Sequence, residues 1–487
     1  MAINSLSFLV LIVAVFVLYY IVPSLLGRVQ FKQWSTYQNI VLLLASYFFY
    51  AYTDLLMLPL LLVVTVVFYF IGIGIERHED QPLADRLLLL GIVLGVGMLV
   101  YFKYTNFFIQ SFANLLNCCG LHTSWHSLRI IVPLGISFFT FRLVSYVIEV
   151  HRGMMSASRD ILAFATYVAF FPCMLSGPID RPNVFIPQLG SRRQFQYPVA
   201  TDGLRQILWG LFKKMVVADG LAQYVDLYLG GGSVAASGST TIVVALAYTF
   251  QIYADFSGYS DMAIGVGKLL GLKVAKNFNY PFFALNIADF WRRWHMSLTT
   301  WVTDYVFTPL CFTFRKNRQW GMIAAIVINF LIVGLWHGAS WNYVIYGLYH
   351  GLLFVPLILM GKMGVADEVQ TNRLGLPRLK DFGRMLLTFV LVVFGMLIFR
   401  CTTVGQFTHE LSTLRHGLFT FPDIGAAVNW LFVVAMLMVE WLHRRRDHGL
   451  DLSDMRSTPL RWGIYLLIIL VVFLNGGETT GFIYQVF

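Results

Sequence analysis

The chain has little charge for its size: Asp, Glu, Lys and Arg make up 12% of its 487 residues, whereas 58% are hydrophobic. That polar complement is too small to cover a water-soluble fold of this length, so a soluble protein is excluded. Hydrophilic stretches long enough for a separate soluble domain are missing, as are internal repeats and low-complexity tracts. Cysteine is scarce too. The five cysteines contain no C-x-x-C, and H-E-x-x-H does not occur, so neither a disulfide framework nor a metal site is expected. A Walker A loop, a G-x-S-x-G elbow and a G-x-G-x-x-G turn are absent as well, which removes the common nucleotide-binding and serine-hydrolase readings.

Apolar runs fill the chain instead. Crossing a hydrocarbon core takes about 20 apolar helical residues, and such stretches fall near 7–27, 38–57, 58–75, 87–110, 129–150, 161–178, 241–266, 321–337, 341–361, 383–400, 424–442 and 460–475. That gives roughly eleven or twelve transmembrane helices, with 203–220 set aside because Lys213 and Lys214 interrupt it. The expected fold class is an all-α polytopic membrane protein, organised as a single membrane-embedded domain over 1–487. The first run lacks a basic leader and an A-x-A-like site, so it reads as a retained helix. Clustered bases orient the chain: Arg28 and Lys32, the Arg373, Arg378, Lys380, Arg384 group and Arg444–Arg446 are expected in the cytoplasm. The net charge of +10 sits at helix ends without interleaved aromatics in a soluble segment. Membrane lipids, and not nucleic acid, are therefore the expected partners.

The most informative break in hydrophobicity is 273–320, which is basic yet rich in Trp and Phe. It reads as short amphipathic or re-entrant helices sheltered by protein. Within it, counting from Trp291 by three and four gives Trp294, His295, Leu298, Trp301, Val302 and Tyr305, one apolar helical face with a histidine inside it. Arg292 leaves that face. Asn286 can cap the helix start, with Asp289 three residues on, much as in a capping box.

Of the eleven histidines, His78, His122, His126, His151, His409, His416, His443 and His448 lie in polar loops or at helix ends. Only His295, His337 and His350 have apolar surroundings. An ionisable side chain at membrane depth is a functional candidate, and imidazole is suited to moving protons near neutral pH. The bland reading of each is a hydrogen-bonded interhelical histidine. His337 stands in Gly334-Leu-Trp-His-Gly-Ala-Ser-Trp-Asn342, with Asn342 as a polar partner; His350 has the plainer context. The run Tyr253–Asp261 adds Asp255 and Ser257, read either as relay or binding groups or, for Asp255, as the ion-pair partner of Arg292 or Arg293. Arg400 reads as a snorkelling anchor.

The segments Asp289–Trp301, Gly334–Trp341, Tyr253–Asp261, Val132–Phe141 and Ser176-Gly-Pro178 resemble the signatures of the membrane-bound O-acyltransferase (MBOAT) superfamily. The closest likeness is to its bacterial alginate O-acetylation branch. It covers most of the chain, with the signature core at about 130–351 and further helices at about 380–487. The resemblance implies a helical shell around a central tunnel in the bacterial inner membrane, with His337 as catalytic residue and His295 as its companion. It also implies an acyl thioester such as acetyl-CoA as donor substrate, no tightly bound cofactor, and a polysaccharide hydroxyl or an extracytoplasmic acetyltransferase partner as acceptor. Phe307-Thr-Pro-Leu-Cys311-Phe departs from the relatives' Tyr-Ile-Pro-Leu-Gly-Gly-like turn, which sets the cytoplasmic entrance apart.

On this reading Arg292 and Arg293 attract the CoA phosphates, while Trp291, Trp294 and Trp336 wall the path of the pantetheine arm. His337 acts as general base, and His295 positions the thioester or stabilises the oxyanion, unless an acyl-histidine relay forms. Asp255, Ser257 and Asn342 complete the candidate binding set. Two alternatives stand beside it: D-alanyl transfer from a carrier protein to teichoic acid, and a proton-coupled secondary transporter. The latter expects inverted repeats that the clustering of polar residues between 250 and 351 does not suggest.

Overall fold

The computed structural model describes residues 1–22, 31–121, 125, 127–230, 236–364, 368–476 and 481–482. Arg28, His122 and His126 lie outside them, as does the side chain of Lys32. Among the described residues the regular secondary structure is helical, with one isolated bridge between Thr371 and Pro377. Among the described residues, six helices are long and apolar enough to cross a membrane: Leu58–Arg77, Pro82–Cys118, Arg315–His337, Trp341–Leu359, Leu379–Arg400 and Thr458–Asn475. Leu6–Ile21 and Ala427–Leu442 are shorter apolar helices. The protein is thus an all-α, multi-pass membrane protein. Its contacts divide it into two units, Met1–Leu204 with Ala263–Ala275, and Arg205–Met262 with Lys276–Phe487.

The first unit is built from α1 (Leu6–Phe16), α2 (Phe31–Asp54), α3 (Leu58–Arg77), α4 (Pro82–Leu99), α5 (Thr105–Cys118), α6 (Ile136–His151), α7 (Ile161–Ala169), α8 (Phe171–Met174), α9 (Pro182–Leu189) and the start of α10 (Tyr197–Leu211). Two apolar runs that look continuous in sequence are not. The run 129–150 becomes helical only after Gly135, which adopts φ +71°; a methyl group there would sit 2.6 Å from the Met174 carbonyl oxygen. The run 161–178 breaks at Phe170. The reason is Pro172, which has no N–H and whose ring would meet the Val168 carbonyl in an unbroken helix. The freed carbonyls need donors, and Arg142, 1% exposed, supplies them. Its guanidinium donates to the carbonyls of Tyr167 (3.1 Å), Val168 (3.2 Å), Cys173 (3.4 Å) and Pro178 (3.3 Å), and its charge faces Asp180 at 3.8 Å.

The second unit takes in α11 (Asp219–Leu229), α12 (Gly238–Leu269) as far as Met262, α13 (Ile287–Trp291), α14 (Met296–Val302), α15 (Thr308–Thr313), α16 (Arg318–His337), α17 (Trp341–Leu353), α18 (Val355–Leu359), α19 (Leu379–Arg400), α20 (Val404–Thr413), α21 (Ala427–Leu442) and α22 (Thr458–Asn475). The segment 203–220, doubtful in sequence, is helical throughout, with a π-helical stretch at Phe212–Ala218. Lys213 and Lys214 are buried there as paired ions. Lys213 Nζ lies 2.5 Å from Asp261, and Lys214 Nζ lies 2.9 Å from Asp219 and 2.7 Å from Asp255. Burying a charge is tolerable only with such partners.

Helices α16 and α17 form a hairpin across the short link 338–340, and glycine sets how closely they approach. A methyl at Gly334 would overlap the Tyr343 carbonyl oxygen, and one at Gly347 the Phe330 carbonyl oxygen. Backbone meets backbone, as small residues allow in membrane helix pairs.

Candidate active site

The stretch 273–320 folds as the expected series of short helices. Asn286 caps α13 by accepting the Asp289 N–H at 2.9 Å, and Asp289 reaches back to accept the Leu285 N–H at 3.1 Å. The apolar face read from the sequence is real: Trp291, Trp294, His295, Leu298 and Trp301 are all buried. The continuous helix is not. It breaks between α13 and α14, where His295 takes the left-handed conformation, φ 45° and ψ 51°, in a region that non-glycine residues seldom occupy.

His295 is fully buried (0% exposed). Its Nδ1 lies 3.1 Å from the Asn277 side-chain oxygen, and its ring packs edge-on against Phe256 at 4.6 Å between centroids. Burial alone pushes the imidazole pKa down, to about 3, so the ring is neutral at physiological pH. Asn277, also 0% exposed, is a site residue the sequence reading missed. It sits in a segment, Lys276-Asn-Phe-Asn-Tyr280, whose composition signals only a loop.

His337 ends α16 and is 2% exposed. A methyl at the next residue, Gly338, would overlap the Tyr343 ring, so the chain turns off the helix against an aromatic wall. The two histidines share Trp336: its ring centroid is 5.7 Å from that of His295 and 5.0 Å from that of His337. Phe399 (5.1 Å) and Tyr346 (6.2 Å) close around His337. Tyr346 in turn contacts His350 at 4.6 Å, and the Trp291 indole N–H donates to His350 Nδ1 at 3.3 Å. The three histidines singled out in the sequence therefore stand in one chain of edge-on rings.

Other candidates are placed differently. Asp255, 2% exposed, is held by Lys214, while the arginines weighed as its partners are engaged elsewhere. Arg293 pairs with Asp289 at 2.9 Å, and the exposed Arg292 donates to the Met363 carbonyl at 3.4 Å. The reason is register: Lys214 comes from the helix packed directly on α12, and Asp289 lies one turn from Arg293. Asn342 does not serve His337; its amide donates to the Cys401 carbonyl at 2.5 Å and fastens the start of α17 to the end of α19. The Ser257 hydroxyl is buried with no hydrogen-bond partner among the described residues. Arg400 pairs with Asp226 at 2.7 Å. His448, assigned to a polar loop, is buried at 2% exposure; Gly449 and Leu450 beside it, also buried, were the available signal. His122 and His126, four residues apart, lie outside the described residues.

Two neutral-capable imidazoles in an aromatic enclosure, with hydroxyl and amide groups behind them, suit proton transfer to and from oxygen or sulfur. Residues 156–366 match the family model of the membrane-bound O-acyltransferase family. The chain is 37% identical to a probable alginate O-acetylase of Pseudomonas aeruginosa over 437 residues, 86% of this chain and 79% of that one. It is 36% identical to a peptidoglycan O-acetyltransferase of Helicobacter pylori over 341 residues, 64% and 62% of the two chains. Similarity to a teichoic acid D-alanyltransferase of Streptococcus thermophilus is 34% over 229 residues, 45% and 55% of the two. All three names describe transfer of an acyl group, and none describes transport. The signature histidines, the helical membrane architecture and these likenesses converge: the chain belongs to the membrane-bound O-acyltransferase family and is an acyltransferase.

Proposed function

We propose that the protein moves an acetyl group from cytosolic acetyl-CoA to a hydroxyl on the far side of a bacterial inner membrane. The hydroxyl belongs to an exported polysaccharide or to an extracytoplasmic acetyltransferase partner. The observation that carries this reading is the pairing of His295 and His337 through the Trp336 ring at the end of α16. A second feature supports the direction of transfer. Arg315, Lys316 and Arg318 stand exposed at the start of this helix, the end that the positive-inside rule assigns to the cytoplasm. His337 is the last residue of the same 20-residue helix, and a helix of that length spans about 30 Å. The charged donor is made on one side and its acyl group is delivered toward the other. The exposed Arg292 with Arg293 is the candidate site for the CoA phosphates, and Trp291, Trp294 and Trp336 line the apolar path.

In the reaction, His337 takes the proton of the acceptor hydroxyl as its oxygen attacks the thioester carbonyl carbon. Collapse of the tetrahedral intermediate breaks the carbon–sulfur bond, and the imidazolium returns the proton to the CoA thiolate. The ester and free CoA are the products. The test is thiol release and acyl transfer by purified protein in proteoliposomes, supplied with acetyl-CoA in one arm and a D-alanylated carrier-protein thioester in the other. Acetyl-CoA turnover that is lost in His337→Ala is the expected result. Turnover of the carrier thioester alone would shift the donor to D-alanine, and full activity in His337→Ala would overturn the catalytic assignment.

A further inference from the structure

Three donors converge on one oxygen behind His295. The Asn277 side chain sits 2.7 Å from Ser297 Oγ, 3.3 Å from the Ser297 backbone nitrogen and 3.1 Å from His295 Nδ1. A backbone N–H can only donate, so the Asn277 atom facing it is the carbonyl oxygen and not the amide nitrogen. The amide nitrogen is accounted for independently, since it donates to Ser260 Oγ on α12 at 3.1 Å. The backbone is pinned at the same place: Met296 N–H donates to the Asn277 carbonyl at 2.8 Å, and Asn279 N–H to the Arg293 carbonyl at 2.9 Å. These bonds hold the left-handed turn at His295 and leave the Asn277 amide no room to flip.

An oxygen acceptor 3.1 Å from Nδ1 requires that Nδ1 carry the ring proton. We infer that Asn277 is a positioning residue that locks His295 in the Nδ1–H tautomer, so that Nε2 meets the substrate as a hydrogen-bond and proton acceptor. This rests on the reading of His295 as an active-site residue, and it changes the role open to that residue. Stabilising a thioester oxyanion needs a ring N–H, and the only one is already given to Asn277. What His295 can recognise is a group that donates: the hydroxyl of the acceptor, or an amide N–H of the donor's pantetheine arm. The choice of asparagine follows. A carboxylate in the same place would favour the imidazolium and destroy the acceptor, whereas a neutral amide orients the ring without charging it.

The decisive experiment compares Asn277→Asp, Asn277→Ala and His295→Ala in proteoliposomes, reading acetyl-CoA hydrolysis as free thiol against pH. Asp keeps an oxygen for all three donors but, as a carboxylate beside the imidazole, it raises the His295 pKa. Activity should then fall as pH drops through that raised value, about tenfold per unit, a limb added to the one that protonation of the His337 base gives both proteins, since His295 of the wild type is already neutral. Asn277→Ala frees the ring to turn and should lose about 10–100-fold in turnover, as when orienting partners of a histidine are removed. A fall in kcat at constant KM for acetyl-CoA assigns the donating group to the acceptor or water; a rise in KM alone assigns it to the pantetheine amide. An Asn277→Asp profile identical to wild type, with His295→Ala inactive, overturns the tautomer lock. Full activity in His295→Ala instead removes the active-site reading on which it rests. If Asn277→Asp does not fold, 15N chemical shifts of wild-type histidine, assigned by difference from His295→Ala, decide the matter. Protonation at Nδ1 supports the lock, and protonation at Nε2 refutes it.

Discussion

Replacing Lys214 with methionine tests whether Asp255 belongs to the chemistry or to the scaffold. Lys214 is 1% exposed, its partners Asp255 and Asp219 are 3% and 8% exposed at the side chain, and both ion pairs are shorter than 3 Å. Methionine keeps most of the volume but removes the cation that the two carboxylates share. Removing one partner of a buried pair costs about 3–5 kcal/mol, and here two acids lose the same cation, so the upper end of that range is expected. Asp255→Asn in the Lys214→Met background removes one of the stranded charges and should recover roughly half of the loss. The measurement is unfolding free energy in mixed micelles for the four members of the cycle, with acetyl-CoA turnover per folded molecule alongside. If Asp255 is structural, the double variant regains stability and keeps turnover. A Lys214→Met cost below about 1 kcal/mol would refute this reasoning, since it would mean that water reaches the cluster. Turnover lost in Asp255→Asn while stability is retained would return Asp255 to the substrate path.

Other outcomes follow from the same structure. Arg142→Met should strip four carbonyls of their donor and destabilise the first unit by about 3 kcal/mol or more, measured by thermal unfolding, with Arg142→Lys recovering only part because one ammonium cannot fork to four oxygens. Gly347→Leu should prevent the α16–α17 hairpin from closing, seen as loss of folded protein in detergent, since the Phe330 carbonyl leaves no space for a side chain. His295 has a folded pKa of about 3 against about 6.5 unfolded. Between those values the unfolded chain binds the extra proton, so His295 makes stability fall with falling pH, by up to about 1.4 kcal/mol per unit. His295→Gln should flatten the slope of unfolding free energy between pH 6 and 4; an unchanged slope would show that His295 is not buried neutral.

Much of the fold was legible because a membrane protein writes its spanning helices as apolar runs. The histidine pair was legible for a related reason: His295 and His337 sit among tryptophans where a polar group has no generic purpose. The cap formed by Asn286 and Asp289 was legible because capping is local, decided within three residues. What escaped was set by contacts far apart in sequence. Nothing near Asn277 announces that its oxygen will meet His295, and nothing near Lys214 announces Asp255 on another helix. Two apolar runs look like single spans because apolarity does not register a proline break such as that at Pro172, whose consequences are met by an arginine thirty residues earlier. The break at His295 was hidden for the opposite reason, because the helical period continues through it even though the backbone does not.

That left-handed residue makes stability and function pull in opposite directions at one position. A side chain in the left-handed region costs roughly 1–2 kcal/mol that glycine would not, so His295→Gly relaxes the turn while deleting the imidazole, and His295→Ala deletes the imidazole while keeping the strain. A survey of tolerated sequences selected only for folding should drift toward glycine at 295, and one selected for acyl transfer should hold histidine there. The divergence between two such selections at this single position is a measure, independent of any assay on purified protein, of how much folding stability the family gives up to present that ring.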